Sequence, residues 1–304
     1  MNEKNRLLKA IKHPEWLFGV MLRRYLGKYM NDRTFIKWEY FSGMRKFPNL
    51  DKPRTYNEKL QWLKLNDIHP EYARLVCKYE AKEYVRNLLG DDVIIPTLGL
   101  WDSFDEICFD SLPNQFVLKT THDSGGVVVI RNKGEMNKEI VKDKIEKSLK
   151  QNYYLQHREY PYKYIKPRII AEKYMVDESG TELKDYKFFC FDGNVKMLFV
   201  ATDRGINDVK FDFFDEDFNH LPFRQGHPWA NKEILKPEGF DRMKEIATIL
   251  SKGFPHVRVD LYDIKGHIYF GELTFFHFSG NVPFVPAEWD KIIGDWLTLP
   301  QIIK

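Results

Sequence analysis

Two apolar runs near the C-terminal end of the chain constrain its fold most strongly. They cover residues 256–262 and 267–275 and are joined by a short turn that contains Gly266. Runs of this length on either side of such a turn predict a β-hairpin. Each run contains one acid, Asp260 in the first and Glu272 in the second. Two carboxylates that face one pocket suit a Mg²⁺ ion that also holds phosphate groups. A hairpin with one paired Asp and one exposed Glu is the alternative.

The first third of the chain predicts helices. Apolar residues recur there at nearly helical spacing, which predicts one continuous helix over 72–89, ended by Gly90. Another helix is expected over 57–66, with Lys59 and Lys64 pointing outward.

Short runs rich in Val, Ile and Phe follow, and they predict strands. The first of them, residues 93–95, is stopped by Pro96, and two later runs flank Asp192-Gly193, which is a strong hairpin signal. Helices followed by separate strand-rich parts indicate an α+β fold. The predicted division is a helical N-terminal region, a small strand-rich lobe and a larger antiparallel-sheet lobe, over residues 1–90, 91–171 and 172–304.

The composition is that of a globular protein with a mild overall charge. The chain has 304 residues, 43% of them hydrophobic, a formal net charge of +3 and a pI of about 8.5. So small a positive excess gives no indication of nucleic-acid binding. Three cysteines without CxxC spacing indicate buried thiols in a reducing compartment, so a cytoplasmic location is expected.

Basic residues are concentrated at the N-terminal end. Residues 1–50 contain eleven Lys and Arg against four Asp and Glu, and a short apolar stretch at 16–22 runs into Arg23 and Arg24. This segment either lies on a membrane surface or forms a docking helix whose apolar face packs on the protein. The docking helix is the favoured interpretation.

A lysine and two glycines indicate an anion-binding loop. Lys119 lies at the end of a predicted strand, and the polar loop after it ends in Gly125 and Gly126. Glycines let backbone N–H groups approach an anion closely, and a lysine adds a point charge for a phosphate. Because the chain lacks GxxxxGK[ST] and GxGxxG, an ordinary hairpin loop with a solvated lysine is the alternative.

Two later segments carry further polar candidates. Glu172-Lys173-Tyr174-Met175 follows a predicted strand, where backbone groups can meet an adenine edge while Met175 packs on the ring. An edge strand with an exposed acid is the alternative. In the segment from Asp185 to Phe188, polar and aromatic residues alternate, so Asp185 and Lys187 share one face. A lysine in that position needs a negative partner, either a ligand or a neighbouring acid.

The order of these signals along the chain resembles the ATP-grasp fold, in which two α+β lobes close on ATP. The resemblance implies ATP and Mg²⁺ as cofactors. The resemblance implies that the nucleotide is bound by Lys119, Gly125, Gly126, Glu172, Met175, Asp185 and Lys187, with Glu182 as an alternative to Asp185 at the ribose. It implies that the metal is bound by Asp260, Glu272 and Thr274. The implied catalytic residues are Arg258 and Lys187. The family usually has Asn at the position of Thr274, which leaves a second metal ion open.

Within that superfamily, the chain is similar to the branch typified by teichuronopeptide-biosynthesis proteins. The segments that carry this resemblance are residues 55–64 (TYNEKLQWLK), 116–119, 185–189 and the final hairpin. The branch implies a ligase that uses ATP and Mg²⁺ to form an acyl phosphate and then an amide. The implied substrates are a carboxylate of a surface polysaccharide or its precursor, such as a uronic acid, and an amine or amino acid. Contact with the membrane or with polysaccharide-assembly proteins is expected through the basic N-terminus.

Other functions stay open at this point. They are a glycosyltransferase that uses a nucleotide sugar, a small-molecule kinase with the same ATP site, and a non-catalytic scaffold. His122 and His277 are further candidates for ligand contact, although a packed histidine is favoured for His277 because aromatic residues surround it.

Overall fold

The computed structural model describes residues 14–178, 180, 183–203 and 209–301, which form helices and antiparallel strands. The α-helices are α1 (Pro14–Met21), α2 (Asp32–Met44), α3 (Tyr56–Asn66), α4 (Tyr72–Val76), α5 (Glu80–Leu89), α6 (Lys138–Leu149), α7 (Tyr153–His157), α8 (Phe240–Ser251) and α9 (Glu288–Trp296). The strands are β1 (Thr97–Trp101), β2 (Phe116–Thr120), β3 (Val127–Ile130), β4 (Ile169–Lys173), β5 (Asp185–Phe191), β6 (Asn194–Thr202), β7 (Lys210–Asp215), β8 (Arg224–Gln225), β9 (His256–Ile264), β10 (His267–Thr274) and β11 (Phe284–Val285).

Two antiparallel sheets organise the molecule. The small sheet has the strand order β1-β4-β2-β3, and the large sheet has the order β10-β9-β5-β6-β7. Helix α6 packs on the small sheet and α8 on the large sheet, while β8 and β11 pair separately. The predicted α+β class is therefore confirmed.

Both tight hairpins expected from the sequence are present. Asp192 and Gly193, between β5 and β6, have φ of 48° and 77°. Lys265 and Gly266, between β9 and β10, have φ of 55° and 80°. Two successive residues with positive φ form the turn whose twist matches that of paired strands, and Gly adopts this conformation at the second position without strain.

Buried apolar side chains in the described part of the chain form two clusters. One lies between the small sheet and α6 and includes Phe116, Leu118 and Ile145. The other lies between the large sheet and α8 and continues into α3, α4 and α5. The N-terminal helices from α3 onward thus share a core with the large sheet. The predicted boundary at residue 171 falls inside β4, and the division into three regions stays a prediction.

Two predicted elements were wrong. Residues 93–95 do not form a strand of either sheet; Ile94 makes an isolated parallel bridge to Phe270, and β1 begins after Pro96. Residues 72–89 are not one helix, because the backbone of Cys77 is extended (ψ of 118°) and separates α4 from α5. No Gly or Pro marks this break, so the sequence carried no signal for it.

The placement of two lysines and one cysteine differs from expectation. Lys59 and Lys64 on α3 point inward, not outward: Nζ of Lys59 donates to the carbonyl of Leu297 (2.7 Å), and Nζ of Lys64 donates to that of Ser279 (2.8 Å). Inward-pointing lysines of this kind use carbonyl oxygens as partners, which a hydrophobic pattern does not reveal. Cys77 and Cys190 are buried as expected, whereas Cys108 is exposed.

The favoured docking-helix interpretation of the N-terminal segment is confirmed for α1. The rings of Phe18 and Trp38 meet at 5.6 Å, so α1 packs on α2, and Leu22 just after α1 is buried. Among the described residues, none of the helices combines the length and the apolar character needed to cross a membrane.

Candidate functional site

A cleft of about 570 Å³ lies between the two sheets. Its walls come from β2, β3 and β4 on one side and from β5, β9 and β10 on the other. The polar side chains that line it are Lys78, Lys119, Ser124, Arg131, Glu172, Lys173, Tyr174, Asp185, Lys187, Asp260, Tyr262 and Glu272. Most of the residues that the sequence singled out therefore meet in one place.

Strand register brings three charged residues side by side on the large sheet. Lys187 pairs with Asp260 across β5 and β9, and Asp260 pairs with Glu272 across β9 and β10. Directly paired residues project from the same face, so these side chains enter the cleft together. The register shifts between Phe270 and Glu272, which makes Gly271 the extra residue of a β-bulge. Without that bulge, Gly271 would lie opposite Asp260 and Glu272 would point to the other face.

Arg258 lies behind the two acids and holds them. Its Nε and Nη2 donate to Oδ1 and Oδ2 of Asp260, both at 2.7 Å. Nη2 also donates to Oε1 of Glu272 and Oγ1 of Thr274, both at 3.0 Å. Arg258 is buried and is absent from the cleft lining, so in this structure it orients carboxylates and does not face the cleft.

The charges around Asp260 and Glu272 act on the two acids differently. Burial raises the pKa of Asp260 to about 6, because Arg258 and Lys187 offset only part of its effect. Burial also opposes ionisation of Glu272, but Lys187, Arg258 and Lys78 hold the pKa of that carboxyl well below its usual range. The Glu272 side chain is 44% exposed, so it presents an ionised carboxylate to the cleft.

The small sheet contributes a buried acid between two lysines. Nζ of Lys119 lies 2.6 Å from Oε2 of Glu172, and Lys82 forms an ion pair with Oε1. Burial alone would raise the pKa of Glu172, but the two ammonium groups outweigh it and lower the pKa to about 2. The carboxylate of Glu172 is thus a fixed partner for Lys119. Tyr174 and Met175, just after it, line the cleft with Leu183.

The loop after β2 is held by one aspartate. The hydroxyls of Thr120 and Ser148 both donate to the carboxylate of Asp123. Gly125 has a φ of 125°, lines the cleft and has open space where a side chain would be. A Cβ at Gly126 would collide with the same two hydroxyls, so this glycine is required for packing and is not among the residues that line the cleft.

Lys78 is one of the cleft residues that the sequence did not reveal. It lies in the break between α4 and α5, where its backbone N–H donates to the carbonyl of Thr121 (3.0 Å). Its Nζ contacts the carbonyl oxygen of Asp123 in the loop. The helix predicted over 72–89 would have hidden this side chain among surface lysines.

Three remaining candidates lie away from the cleft or outside the described part of the chain. His277 is buried against the ring of Phe189 (4.8 Å), which confirms that it is a packed histidine. His122 is also buried, with Nε2 3.1 Å from the carbonyl oxygen of Gln151. Glu182, the alternative ribose contact, lies outside the described residues.

The acid cluster offers the ligand type that Mg²⁺ prefers. Asp260, Glu272 and Thr274 contribute carboxylate and hydroxyl oxygens within one hydrogen-bond network around Arg258. In the part of the chain that is described, no group of three or more His, Cys, Asp or Glu is arranged to hold a metal ion alone. Mg²⁺ is ordinarily bound by one or two carboxylates together with phosphate and water oxygens, and these residues fit that incomplete set.

Among solved structures, three ligases illustrate what the chain is similar to. The first is D-alanine–D-alanine ligase from Bacillus anthracis complexed with ATP, with a TM-score of 0.40 and 15% identity over 66% of this chain and 54% of that one. The second is D-alanine–D-alanine ligase from Helicobacter pylori, with a TM-score of 0.41 and 16% identity over 75% of this chain and 61% of that one. The third is the ATP-grasp ligase PsnB complexed with minimal precursor, Mg and ADP, with a TM-score of 0.38 and 11% identity over 80% of this chain and 62% of that one. The match spans less than two thirds of each of those chains. At such TM-scores these similarities carry no argument about substrate or mechanism.

Sequence comparison is more decisive. No curated protein matches the chain. The family model described as TupA-like ATPgrasp matches residues 58–298, which is well over half of the sequence and includes every candidate site residue. The expected resemblance and the two-lobed α+β fold are thereby confirmed. The chain belongs to the TupA-like ATP-grasp family.

Proposed function

We propose that this protein is an ATP- and Mg²⁺-dependent ligase that joins a carboxylate to an amine through an acyl phosphate. The observation that carries the proposal is the cleft itself. Lysines from three different parts of the chain, Lys78, Lys119 and Lys187, line it together with the ionised carboxylate of Glu272. Convergent cations beside an acidic edge are what a metal-bound triphosphate requires. Family membership supports the same activity.

The proposal includes an orientation of the nucleotide in the cleft. We assign the adenine to the end lined by Tyr174 and Met175, with the backbone of residues 172–175 as its hydrogen-bonding edge. The ribose then lies toward Asp185, and the phosphates lie toward Lys119, Lys187 and the Ser124-Gly125 loop. This orientation places the terminal phosphate at the acidic edge of the large sheet.

Asp260, Glu272 and Thr274 are the residues that would hold Mg²⁺. When bound, Mg²⁺ offsets the negative charge of the phosphates. Arg258 keeps the carboxylates aimed, because it donates to both oxygens of Asp260 and to Oε1 of Glu272. Lys187 lies between Asp260 and Asp185, with its Nζ 2.7 Å from Oδ2 of Asp185, and supplies a positive charge on the same face.

The chemistry then needs two steps. A carboxylate oxygen of the first substrate attacks the γ-phosphorus; that O–P bond forms while the bond from the γ-phosphorus to the bridging oxygen breaks, which releases ADP. The amine next attacks the acyl carbon, the C–N bond forms, the acyl C–O bond breaks, and phosphate leaves as the ammonium proton is lost to solvent. Lys119, Lys187 and the loop at 120–126 bind the transferred group and exclude water, which would hydrolyse the acyl phosphate.

We further propose that the acid is a carboxylate of a surface polysaccharide or its precursor, such as a uronic acid, and that the nucleophile is an amine or amino acid. What supports this choice is the resemblance of residues 55–64 and 185–189 to the teichuronopeptide-biosynthesis branch. ATP use supports a cytoplasmic location.

Product analysis tests the proposal. The protein is incubated with Mg·ATP and a panel of uronic acids and amino acids, and free phosphate is measured. A ligase releases ADP and phosphate only when both an acid and an amine are present. A kinase on the same site would yield ADP and a phosphorylated product without free phosphate. A glycosyltransferase or a scaffold would leave ATP unchanged. A phosphorylated product without free phosphate, or unchanged ATP, would contradict the proposal.

We also propose that the N-terminal surface contacts an anionic membrane. Leu17, Met21 and Tyr25 recur every four residues and are 41%, 47% and 56% exposed, and Arg24 and Lys28 lie beside them. An apolar stripe next to basic residues suits a negatively charged lipid surface. Sedimentation with phosphatidylglycerol vesicles tests this: Met21→Glu should reduce binding, while Ile140→Glu, at a 66% exposed site on α6, should not. Equal loss in both variants, or no binding by the unaltered protein, would contradict contact of this surface with a membrane.

A further inference from the structure

Three aromatic side chains from distant segments of the chain meet beside the acid cluster. They are Phe211 on β7, His227 in the turn after β8 and Phe278 in the turn after β10. The rings of Phe211 and His227 lie 4.4 Å apart, and those of Phe211 and Phe278 lie 6.0 Å apart and within 22° of parallel. All three side chains are half-buried, so each keeps part of its surface open to solvent. We call these three residues the aromatic shelf.

Strand register places the aromatic shelf on the face of the large sheet that forms the cleft. Phe211 pairs with Ala201, which pairs with Asp185, and Phe199 pairs with Lys187. Directly paired residues project from the same face, so Phe211 shares the face of Asp185 and Lys187. The ring of Phe211 lies 4.4 Å from that of Phe199. A molecule on the aromatic shelf would therefore lie next to the phosphate-binding part of the cleft proposed above.

The backbone holds Phe278 on the aromatic shelf in an unfavourable conformation. Phe278 has a φ of 48° and a ψ of 25°, a region that non-glycine residues adopt only under constraint. Its ring lies over Gly226, where a Cβ would come within 2.8 Å of it. Phe275 and Phe276, just before it, are buried in the core, whereas Phe278 is half-buried. A large apolar side chain that is held under strain and kept out of the core points to a binding role.

The chemistry of the aromatic shelf suits a sugar ring better than it suits the amine substrate. The face of an aromatic ring is negative and attracts the C–H groups on the apolar face of a pyranose. The imidazole of His227 can exchange a hydrogen bond with a sugar hydroxyl. The aromatic shelf contains no acid, whereas an ammonium group would find an opposite charge at Glu272, which lines the cleft.

We propose that the aromatic shelf stacks on the sugar ring of a hexuronic acid and directs its carboxylate toward Lys187. This inference depends on the proposed function, because it names the residues that select the acid substrate of the ligase. The carboxylate of a hexuronic acid is attached directly to the ring, so a stacked ring also fixes where the reacting carboxylate lies. An open-chain sugar acid has the same kinds of polar group but no ring face to stack. The aromatic shelf thus makes the site selective for the cyclic acid.

Affinities for matched acids test the inference without knowledge of the amine. Calorimetry in the presence of Mg²⁺ and the non-hydrolysable triphosphate AMPPNP compares methyl glycosides of glucuronic, galacturonic and mannuronic acid with open-chain six-carbon sugar acids. The unaltered protein should bind at least one cyclic acid more tightly than any open-chain acid. Phe211→Leu and Phe278→Leu keep an apolar side chain but remove the flat ring, so each should weaken binding of the cyclic acid by about three- to tenfold. The affinity for AMPPNP alone should stay the same.

Two further variants serve as controls. Phe278→Tyr keeps the ring and should retain the affinity for the cyclic acid. Tyr29→Leu removes a ring that is 80% exposed near the N-terminal end, and it should change neither affinity. If either leucine variant of the aromatic shelf unfolds, His227→Leu replaces it in the same comparison.

The outcomes separate the inference from the function on which it depends. Equal affinity of the unaltered protein for cyclic and open-chain acids would overturn the role of the aromatic shelf while leaving the ATP site intact. Unchanged affinity for the cyclic acid in the leucine variants would do the same. Failure of the unaltered protein to bind AMPPNP would overturn the proposed function itself.

Discussion

Nη1 of Arg258 donates to Nδ1 of His277 across 2.8 Å, and this contact ties the acid cluster to the turn after β10. Since arginine can only donate, Nδ1 is the acceptor, and Nε2 carries the proton that it donates to Oε1 of Gln225 at 3.1 Å. Burial and the charge of Arg258 lower the pKa of His277 well below its usual range, which keeps the ring neutral.

The turn that carries His277 is itself held by α3. Phe278 and Ser279 have φ of 48° and 55°, a conformation that non-glycine residues adopt only under constraint. Nε2 of Gln61 and Nζ of Lys64 both donate to the carbonyl of Ser279 at 2.8 Å. The N-terminal helices therefore help to position Arg258, and through it Asp260.

Removal of the acceptor on His277 should weaken both stability and turnover. In His277→Phe a buried N–H of Arg258 loses its partner, which costs about 1–3 kcal/mol, and the guanidinium is no longer aimed at Asp260. His277→Asn keeps an acceptor near the position of Nδ1 and should restore most of the loss. Urea unfolding and ATP turnover of the two variants check this. Equal turnover in both variants would contradict a positioning role.

Loss of charge at the two acids of the hairpin should affect the stability of the protein very differently. Asp260 is fully buried and bonded to Arg258 through both oxygens, so Asp260→Asn replaces one acceptor oxygen with an N–H group that faces a donor and should destabilise the fold by about 1–3 kcal/mol. Glu272 is 44% exposed, and a glutamine oxygen can still accept from Arg258, so Glu272→Gln should change stability by less than about 0.5 kcal/mol. Glu272→Gln should nevertheless abolish turnover, because in the proposed function this exposed charge helps to hold Mg²⁺. Unfolding curves and phosphate release measure the two effects, and a large loss of stability in Glu272→Gln would favour a structural role.

Acid should destabilise the protein through a buried histidine. Nδ1 of His256 donates to the carbonyl of Cys190 (2.9 Å), and Nε2 accepts from the hydroxyl of Tyr56 (3.0 Å). Burial lowers the pKa of His256 from 6.5 to about 3. Below pH 6.5 the unfolded chain binds a proton that the folded protein does not. The contribution of the neutral ring is therefore complete above that pH and falls as the pH drops toward 3, by at most about 1.4 kcal/mol per pH unit.

Comparison with His256→Asn isolates this effect from that of the carboxylates. The free energy of unfolding of both proteins is measured in urea from pH 7 to pH 4.5. The advantage of the unaltered protein over the variant should shrink steadily below pH 6.5. A difference that stays constant over this range would show that His256 is protonated in the folded state.

Local signals predicted the elements that depend on nearest neighbours. Asp192-Gly193 and Lys265-Gly266 specify tight turns by their own backbone preferences, so both hairpins were predictable. The acids Asp260 and Glu272 were visible because each interrupts an apolar strand. The bulge at Gly271 puts Asp260 and Glu272 on the same face of the sheet. This bulge depends on how β10 pairs with β9 and not on the sequence of β10 alone.

Features set by distant contacts were not predictable. The break that exposes Lys78 to the cleft depends on a backbone bond to Thr121, more than forty positions along the chain. Lys64 points inward because its Nζ donates a hydrogen bond to the carbonyl of Ser279. Neither contact leaves a pattern in the hydrophobic periodicity of α3 or α4, since the partners of both lysines come from segments that are distant in the sequence.

The loop after β2 should depend on Gly126 more than the segment after β3 depends on Gly134. A Cβ there would displace the hydroxyls of Thr120 and Ser148, which hold Asp123, so Gly126→Ala should cost about 1–3 kcal/mol and weaken AMPPNP binding. Gly134→Ala is the control, because its nearest neighbour, Oδ1 of Asn132, is at an ordinary 3.5 Å. Thermal unfolding and calorimetry compare the two. Equal behaviour of the variants would show that the loop does not depend on this packing.

A crystal structure with Mg²⁺ and AMPPNP tests the role of the acidic hairpin most directly. The ligase function requires the triphosphate in the cleft, with an oxygen of Glu272 within coordination distance of the metal, about 2.1 Å, and Asp260 beside it. A nucleotide bound elsewhere, or carboxylates of Asp260 and Glu272 turned away from the triphosphate, would contradict that function.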